Sequence, residues 1–210
     1  MVKKWMKACC LVAAMIGTAH AAQQTYVVGS GGTYRPFEFE NSQKQLEGFD
    51  IDIIKAIAKA EGFDIKLVNT PWEGIFATLN TGDRDIIISG ITITDKRKQM
   101  VDFSAPYFPA EQSIVVPADS KVSSLEALKN EKVGVVNSST GDIVVSDVLG
   151  KNSTAIKRFD NTPLMLQELF EDGVSAAVGD VGVVKYYIKQ HPEKQFKLVP
   201  DAKFERQYFG

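Results

Sequence analysis

Short apolar strands and amphipathic helices alternate along almost the whole chain. Three isoleucines at 86–88 indicate a strand covered on both faces, whereas residues 50–61 carry Ile53, Ile54, Ile57 and Ala58 on one helical face. Alternation of this kind predicts an α/β fold with mostly parallel sheets and helices on both faces. Ligands of such sheets bind outside the carboxyl ends of the strands, so a site is expected in the loops that follow them.

The same pattern gives bounds for each element and divides the elements into two sets. Strands are predicted at 26–30, 65–68, 85–89, 113–116, 133–136, 156–159, 176–179 and 196–199. Helices are predicted at 50–61, 72–80, 95–100, 123–129, 140–149, 162–171 and 180–190, the fourth with a capping-box pattern, Ser-Ser-Leu-Glu. The two sets separate near residue 110 and predict two lobes, for which the chain length is sufficient.

The first 21 residues have the pattern of a removable signal peptide. Three lysines precede an apolar stretch at 8–18, and residues 19–21 form the A-x-A pattern that a signal peptidase requires. The apolar stretch is too short to span a bilayer. We therefore expect cleavage before Ala22 and a periplasmic protein.

Cysteine, histidine and charge content exclude several classes of function. Cys9 and Cys10 leave with the signal peptide, and the lysine before them argues against lipid modification, so the exported chain needs no disulfide. Only His191 remains, at an expected helix end, which leaves little material for histidine catalysis or a histidine metal site. The exported chain has a net charge of 21 − 26 = −5, which argues against nucleic acid or an anionic membrane as a partner.

The segment after the isoleucine strand has the chemistry of a carboxylate receptor. The strand ends at Ser89, and Gly90 leads through Thr92 and Thr94 into a helix whose first turn contains Arg97. A guanidinium group beside free backbone N–H groups and hydroxyls binds a carboxylate well. The alternative is an arginine in a surface ion pair with the threonines as ordinary caps, and spacing alone leaves both open.

The same stretch, GITITDKR followed by DFSAPYF, resembles a signature of the periplasmic solute-binding proteins of polar amino acid ABC importers, family 3. Two further stretches match in order: YRPFEF with GFDID after it, and GVVNSSTG with AVGD further on. The resemblance extends from near residue 26 to residue 210. It implies a two-lobed clamshell that captures a free polar L-amino acid and delivers it to the membrane permease of an ABC importer.

The resemblance also implies how the chain is divided. It would cross twice between the lobes, so that residues 22–110 form lobe 1, residues 111–205 form lobe 2 and residues 206–210 form the second crossing. In the family, residues after the second crossing complete lobe 1, so lobe 1 is expected to be incomplete here. We also expect a monomer without cofactor or metal.

A receptor for a zwitterion needs a fork for the carboxylate, an acid for the ammonium group and a wall for the side chain. Arg97 supplies the fork. Asp180 follows an apolar strand and opens a helix, where an aspartate is most often an N-cap. The resemblance implies instead that Asp180 binds the ammonium group, and the two roles are compatible because one carboxylate accepts several hydrogen bonds.

The resemblance implies that Tyr34 and Trp72 sandwich the side chain of the ligand, although Trp72 also fits a core or hydrophobic-staple role. Phe37 and Phe39 are expected to pack inside. The N–H groups at the start of the helix at 140–149 fit the ligand carboxylate, with a turn-forming cap as the alternative. The expected ligand-binding residues are Tyr34, Trp72, Ser89, Gly90, Thr92, Arg97, Asn137, Thr140, Gly141 and Asp180.

One position bears on the choice of ligand. Members of the family that take basic or amide side chains often have an acid three residues before the tyrosine, and here that residue is Gly31. A cationic side chain would lack a charge partner there, which favours an uncharged ligand such as glutamine over arginine or lysine. Glu73, Gln112 and Asn137 remain as polar candidates for the side-chain end.

Other functions stay open beside this interpretation. A basic amino acid is the alternative ligand, and a periplasmic prephenate or arogenate dehydratase is the alternative enzyme, with Glu73 as its candidate general acid. A sensor module would require transmembrane and signalling segments that this sequence does not show. A purely structural α/β domain would leave the joint presence of the expected binding residues unexplained, so we favour a binding protein without enzymatic activity.

Overall fold

The computed structural model describes residues 23–210, so the expected signal peptide and its cleavage before Ala22 lie outside the described residues. The strands are β1 (Thr25–Ser30), β2 (Thr33–Tyr34), β3 (Glu38–Glu40), β4 (Leu46–Glu47), β5 (Asp64–Asn69), β6 (Ile86–Ile87), β7 (Phe108–Ala110), β8 (Gln112–Pro117), β9 (Val133–Val136), β10 (Ile156–Phe159), β11 (Ala176–Asp180), β12 (Phe196–Val199) and β13 (Gln207–Phe209). The helices are α1 (Phe49–Glu61), α2 (Ile75–Asn80), α3 (Asp95–Lys98), α4 (Thr140–Leu149), α5 (Thr162–Phe170) and α6 (Val181–Lys189), with a 3-10 helix at Glu126–Asn130.

The first lobe is built on a parallel sheet of three strands in the order β5-β1-β6. Helix α1 packs on it through buried side chains that include Ile51, Ile54 and Ala58, and it ends at Glu61 as predicted, before Gly62 in the left-handed conformation. The buried face of α1 differs in part from the predicted one: Ile51, which was not included in the prediction, is fully buried, whereas Ile57, which was included, is 44% exposed.

The isoleucine strand differs from its prediction. Strand β6 is limited to two residues, and Ile86 and Ile87 are partly exposed, although Ile88 is buried. The reason is its position in the described sheet, where β6 pairs with β1 on one side and forms the sheet edge on the other. A continuous apolar run therefore did not identify a strand covered on both faces.

The second lobe contains a five-stranded mixed sheet in the order β10-β9-β11-β8-β12. Strand β8 runs antiparallel to both of its neighbours, whereas β10, β9 and β11 are parallel. One face packs against α4 and the 3-10 helix through a cluster that includes Leu125, Leu128 and Val145, and the other packs against α5 and α6 through Leu166 and Val184. This arrangement confirms the α/β fold with helices on both faces.

Two predicted helices begin later than expected. The stretch 72–74 is a turn, with Gly74 at φ +78°, so α2 starts at Ile75. The predicted capping box is also wrong, because the carboxylate of Glu126 forms ion pairs with lysine side chains rather than turning back to the backbone. The segment it was expected to open is a 3-10 helix that starts at Glu126.

Two short antiparallel strands connect the lobes. Strand β7 pairs with β13, and an aromatic cluster that includes Phe37, Phe108 and Phe209 packs beside them. Phe37 is buried as expected, but Phe39 is partly exposed, with the guanidinium carbon of Arg35 3.6 Å from its ring centre. Among residues 23–210, no helix combines the length and apolar character that a membrane crossing requires.

Candidate ligand-binding site

A cavity of about 350 Å³ lies between the lobes, next to the carboxyl ends of β1, β6, β9 and β11. This position agrees with the expectation for an α/β sheet, and the volume suits a ligand as small as an amino acid. Eight of the ten predicted binding residues line the cavity: Tyr34, Trp72, Ser89, Gly90, Thr92, Arg97, Thr140 and Asp180.

Arg97 is a buried cation on the lobe 1 side of the cavity. Its side chain leaves the first turn of α3, which Thr94 caps by accepting the backbone N–H of Arg97 at 3.2 Å. One guanidinium nitrogen donates to the carbonyl of Thr92 at 2.9 Å, and the guanidinium carbon lies 5.1 Å from the ring centre of Trp72. Burial lowers its pKa to about 10, although the nearby charge of Asp180 opposes this.

The environment of Arg97 excludes a surface ion pair. The residue is only 6% exposed, and none of the described salt bridges involves it. A buried guanidinium group with spare N–H donors in a cavity wall is suited to bind a carboxylate in a bidentate manner.

Asp180 faces Arg97's cavity from the second lobe. It occupies the N-cap position of α6, but its side chain makes no capping hydrogen bond. Instead, the hydroxyl of Tyr34 donates to Oδ2, while Oδ1 is buried and has no hydrogen-bond partner among the described residues. Burial raises the pKa of Asp180, and the hydrogen bond from Tyr34 together with the charge of Arg97 opposes that rise. The free oxygen is an acceptor for a cationic group.

Two aromatic residues form walls of the cavity. The ring of Tyr34 lies so close to Gly90 that a Cβ there would approach Cε1 to 2.7 Å, and the φ of Gly90 is +52°, so both observations require glycine. The indole N–H of Trp72 donates across the lobes to the carbonyl of Asn137 at 2.9 Å, and its ring packs edge-on against Phe76. Trp72 is therefore a partly exposed wall residue rather than a core residue.

Two predicted residues do not reach the cavity wall. Asn137 contributes its carbonyl to Trp72, and Gly141 packs α4 against β11, because a Cβ at Gly141 would lie 3.0 Å from the carbonyl oxygen of Val178. Thr140 does line the cavity, where its hydroxyl accepts from the amide of Gln112 at 3.1 Å.

The sequence interpretation missed two buried acids, Glu38 and Asp50. Glu38 is 1% exposed, lines the cavity and accepts the hydroxyl of Ser89 at 2.7 Å through Oε1. Asp50 is fully buried and accepts the backbone N–H of Gly90 at 2.6 Å and the hydroxyl of Tyr107 at 3.0 Å, both through Oδ2. The available signal for Glu38 was its alternation with the flanking phenylalanines along β3, which turns it to the opposite face.

Burial raises the pKa of both acids. Burial is the main cause of the raised pKa of Glu38, and the neighbouring charge of Asp50 adds to it. Burial likewise raises the pKa of Asp50, although donors from Gly90 and Tyr107 oppose the rise. The carboxyl of Glu38 lies beside the position that was read as lacking an acid, since a Cβ on Gly31 would stand 3.6 Å from its Oε1.

Comparison with known proteins assigns the family. Residues 26–194 match the model of the bacterial extracellular solute-binding proteins, family 3. A probable histidine-binding protein of Neisseria gonorrhoeae is 40% identical over 222 aligned residues, which cover 100% of this chain and 83% of the relative.

Solved structures agree with this assignment. The arginine-, lysine-, histidine-binding protein ArtJ of Geobacillus stearothermophilus superposes with a TM-score of 0.84 at 38% identity, covering 89% of this chain and 80% of ArtJ. An ancestral arginine-binding protein, solved with arginine and with glutamine, is 40% identical, with a TM-score of 0.80 and coverage of 89–90% of this chain and 81–82% of its own.

An ancestral amino acid-binding protein, a precursor of cyclohexadienyl dehydratase, has a TM-score of 0.79 at 37% identity and covers 89% of this chain. The family match, the two-lobed α/β fold and the cavity between the lobes therefore agree, and this chain belongs to family 3 of the bacterial extracellular solute-binding proteins.

Proposed function

We propose that this protein captures a free basic L-amino acid in the periplasm and delivers it, as a monomer, to the permease of an ABC importer. The observation that carries the proposal is one cavity with a buried guanidinium group, Arg97, and a carboxylate with a free oxygen, Asp180, on its two sides. These two groups have the opposite charges that the α-carboxylate and α-ammonium groups of an amino acid require.

Three further cavity residues have roles in this proposal. Tyr34 and Trp72 contact the apolar part of the ligand side chain, and Thr140 at the start of α4 offers its backbone N–H to the α-carboxylate. Because the contacts come from both lobes, the ligand favours a closed arrangement, which the permease would recognise.

The end of the cavity that is lined by Gly31 and Glu38, called here the side-chain end, favours a basic ligand. The preference for glutamine depended on the missing acid at Gly31, but the carboxyl of Glu38 stands beside that position. The names of several relatives, which refer to histidine or arginine, support the same choice. Glutamine stays the second candidate, since an ancestral relative was solved with it as well as with arginine.

We propose no reaction at this site. One similar structure is that of a dehydratase precursor, so an enzyme is the second candidate function. Glu73, the candidate general acid of such an enzyme, lines the cavity. However, Glu73 is exposed and has no hydrogen-bond partner among the described residues, so nothing positions it as a general acid. A prephenate and arogenate dehydration assay on the purified protein would detect that activity directly.

A thermal-shift screen of the twenty amino acids on the exported protein tests the proposal. A ligand at 100 times its dissociation constant should add about 2.7 kcal/mol of stability, which corresponds to roughly 5–10 °C in Tm. We expect the largest shifts with arginine, lysine or histidine. A screen in which no amino acid raises Tm would contradict the proposed function, and a shift with glutamine alone would contradict the basic ligand.

A further inference from the structure

The side-chain end of the cavity is lined by Glu38 on β3, and Asp50 on α1 is buried next to it. The backbone N–H of Asp50 donates to the carbonyl of Phe37, the residue before Glu38, at 2.9 Å, and the charge of Asp50 raises the pKa of Glu38. Each uses one oxygen to accept an ordinary donor, Ser89 for Glu38 and both Gly90 and Tyr107 for Asp50. The other two oxygens, Oε2 of Glu38 and Oδ1 of Asp50, are buried and have no donor among the described residues.

Glu38 and Asp50 are neighbouring buried carboxyls, and each has an oxygen without a donor, so a shared proton would be favourable. Two ionised carboxylates would repel each other in a site that is shielded from water, and the pair would leave two lone-pair acceptors unsatisfied. A single proton on one carboxyl converts this contact into a hydrogen bond and leaves the pair with one negative charge, as in other carboxyl pairs that titrate together.

The surroundings provide no cation in place of that proton. The ionisable groups that face the pair from the neighbouring elements are Tyr34 on β2, Tyr107 before β7, Asp180 on β11 and Tyr187 on α6. None of them is positively charged, and no lysine or arginine among residues 23–210 forms a salt bridge with either acid.

We infer that Glu38 and Asp50 share one proton in the ligand-free cavity and that the cationic side chain of a basic amino acid displaces it. The O–H bond of the carboxyl breaks, the proton leaves to solvent, and the Glu38 carboxylate in the cavity wall, with the Asp50 carboxylate next to it, then balances the ligand's positive charge. The net charge of this end of the cavity is −1 before and after, because one cation replaces another. An uncharged side chain leaves the proton in place.

This inference, which rests on the proposed function, makes selectivity depend on pH. Where the ligand-free pair carries its proton, binding of arginine releases one proton more than binding of glutamine, so arginine affinity rises tenfold per pH unit relative to glutamine. Any proton released at Asp180 is common to both ligands, since both carry the same ammonium group, and it cancels in this difference.

Calorimetry in buffers of different ionisation enthalpy counts the protons. In a pH series that starts above the ordinary pKa of a glutamate, we expect arginine to release about one proton more than glutamine and the ratio of their affinities to change about tenfold per pH unit, until the raised pKa of the pair is reached. Equal proton release by the two ligands, with a ratio that is independent of pH, would overturn the inference while leaving amino acid binding intact.

Infrared spectroscopy of the ligand-free protein gives a test that needs no ligand. The C=O band of a protonated carboxyl should be present at pH values above the ordinary range of carboxyl pKa values, should weaken in Glu38→Gln, and should persist in Asp52→Asn, an exposed aspartate on the same helix as Asp50. An unchanged band in Glu38→Gln would overturn the shared proton. If no amino acid bound, the proposed function would fail, and this band alone would decide whether the proton is there.

Discussion

The two ends of the cavity differ in the charges of their buried side chains. At the main-chain end, Arg97 and Asp180 have opposite charges, and each has partners that fix its position while leaving donors or an acceptor free. At the side-chain end, Glu38 and Asp50 are both acids, buried next to each other, and the charge of Asp50 raises the pKa of Glu38. In the proposed function, the first end binds the groups that all amino acids share, whereas the second selects among their side chains.

The two ends also differ in their effect on the stability of the ligand-free protein. Arg97 and Asp180 attract each other weakly across the cavity, and this attraction opposes part of the penalty of burial for both groups. Glu38 and Asp50 have no such compensation, so the ligand-free protein is destabilised whenever both are ionised. A cationic ligand would remove this destabilisation and an uncharged ligand would not, so we expect the Glu38 and Asp50 end to determine selectivity.

The largest expected effect is at the main-chain end, with Arg97→Lys. Losing one partner of a buried, hydrogen-bonded charge pair costs about 2–5 kcal/mol, or roughly 30-fold or more in affinity, and a lysine does not reproduce the guanidinium fork. Calorimetry should show this loss for arginine and glutamine alike. Lys98→Arg, at an exposed position on the same helix, is the matched control and should bind normally. Loss of arginine binding alone would break the division between the two ends.

Asp180→Asn should weaken every amino acid by a similar factor, because the ammonium group loses its charged acceptor. The ligand-free protein should melt at nearly the same temperature, since the Asp180 side chain makes no capping bond to α6. Affinity and Tm are measured on the same preparation. Normal binding by this variant would mean that another acid holds the ammonium group.

Glu38→Gln should separate the ligands. A hydrogen bond to a charged group is worth about 1.5–3 kcal/mol, so arginine should bind roughly 10–100-fold more weakly, while glutamine should change by less than about threefold. The ratio of the two affinities is the measurement. An equal loss for both ligands would assign Glu38 to the structure of the cavity rather than to selectivity.

The smallest effect concerns ligand-free stability. Because the folded pKa values of Glu38 and Asp50 are raised, the folded protein binds more protons than the unfolded chain at pH values between the ordinary and the raised pKa. The free energy of unfolding should therefore fall as pH rises through this window, by about 1.4 kcal/mol per pH unit for one extra proton. Urea denaturation should show a smaller fall in Glu38→Gln. A fall of equal size in both proteins would mean that other groups cause it.

Much of the fold was predictable from periodicity and caps. Helix α4 has the predicted bounds of 140–149, and α1 ends at Glu61 as predicted. The meander of β2, β3 and β4 and the paired strands β7 and β13 were missed as strands because each has only two or three residues, too few for a period to be recognised. The division of the chain into residues 22–110, 111–205 and 206–210 stays a prediction.

The site was predicted in part, and the difference between its two ends explains why. Arg97 and Asp180 follow strands, where polar residues indicate a site, so their positions could be found from the sequence. Glu38 and Asp50 lie within a strand and a helix, where a charged residue is ordinarily expected to face solvent. The absence of an acid at Gly31 was read correctly, but the acid that approaches this position comes from β3, which a single position in the sequence could not reveal.

A crystal structure of the exported protein with L-arginine would show the position of all three charged groups of the ligand. We expect the α-carboxylate on the guanidinium group of Arg97, the α-ammonium group on Asp180 and the side-chain guanidinium group against Glu38. A bound arginine whose side chain points away from Glu38 and Asp50, or whose α-carboxylate does not contact Arg97, would contradict this expectation.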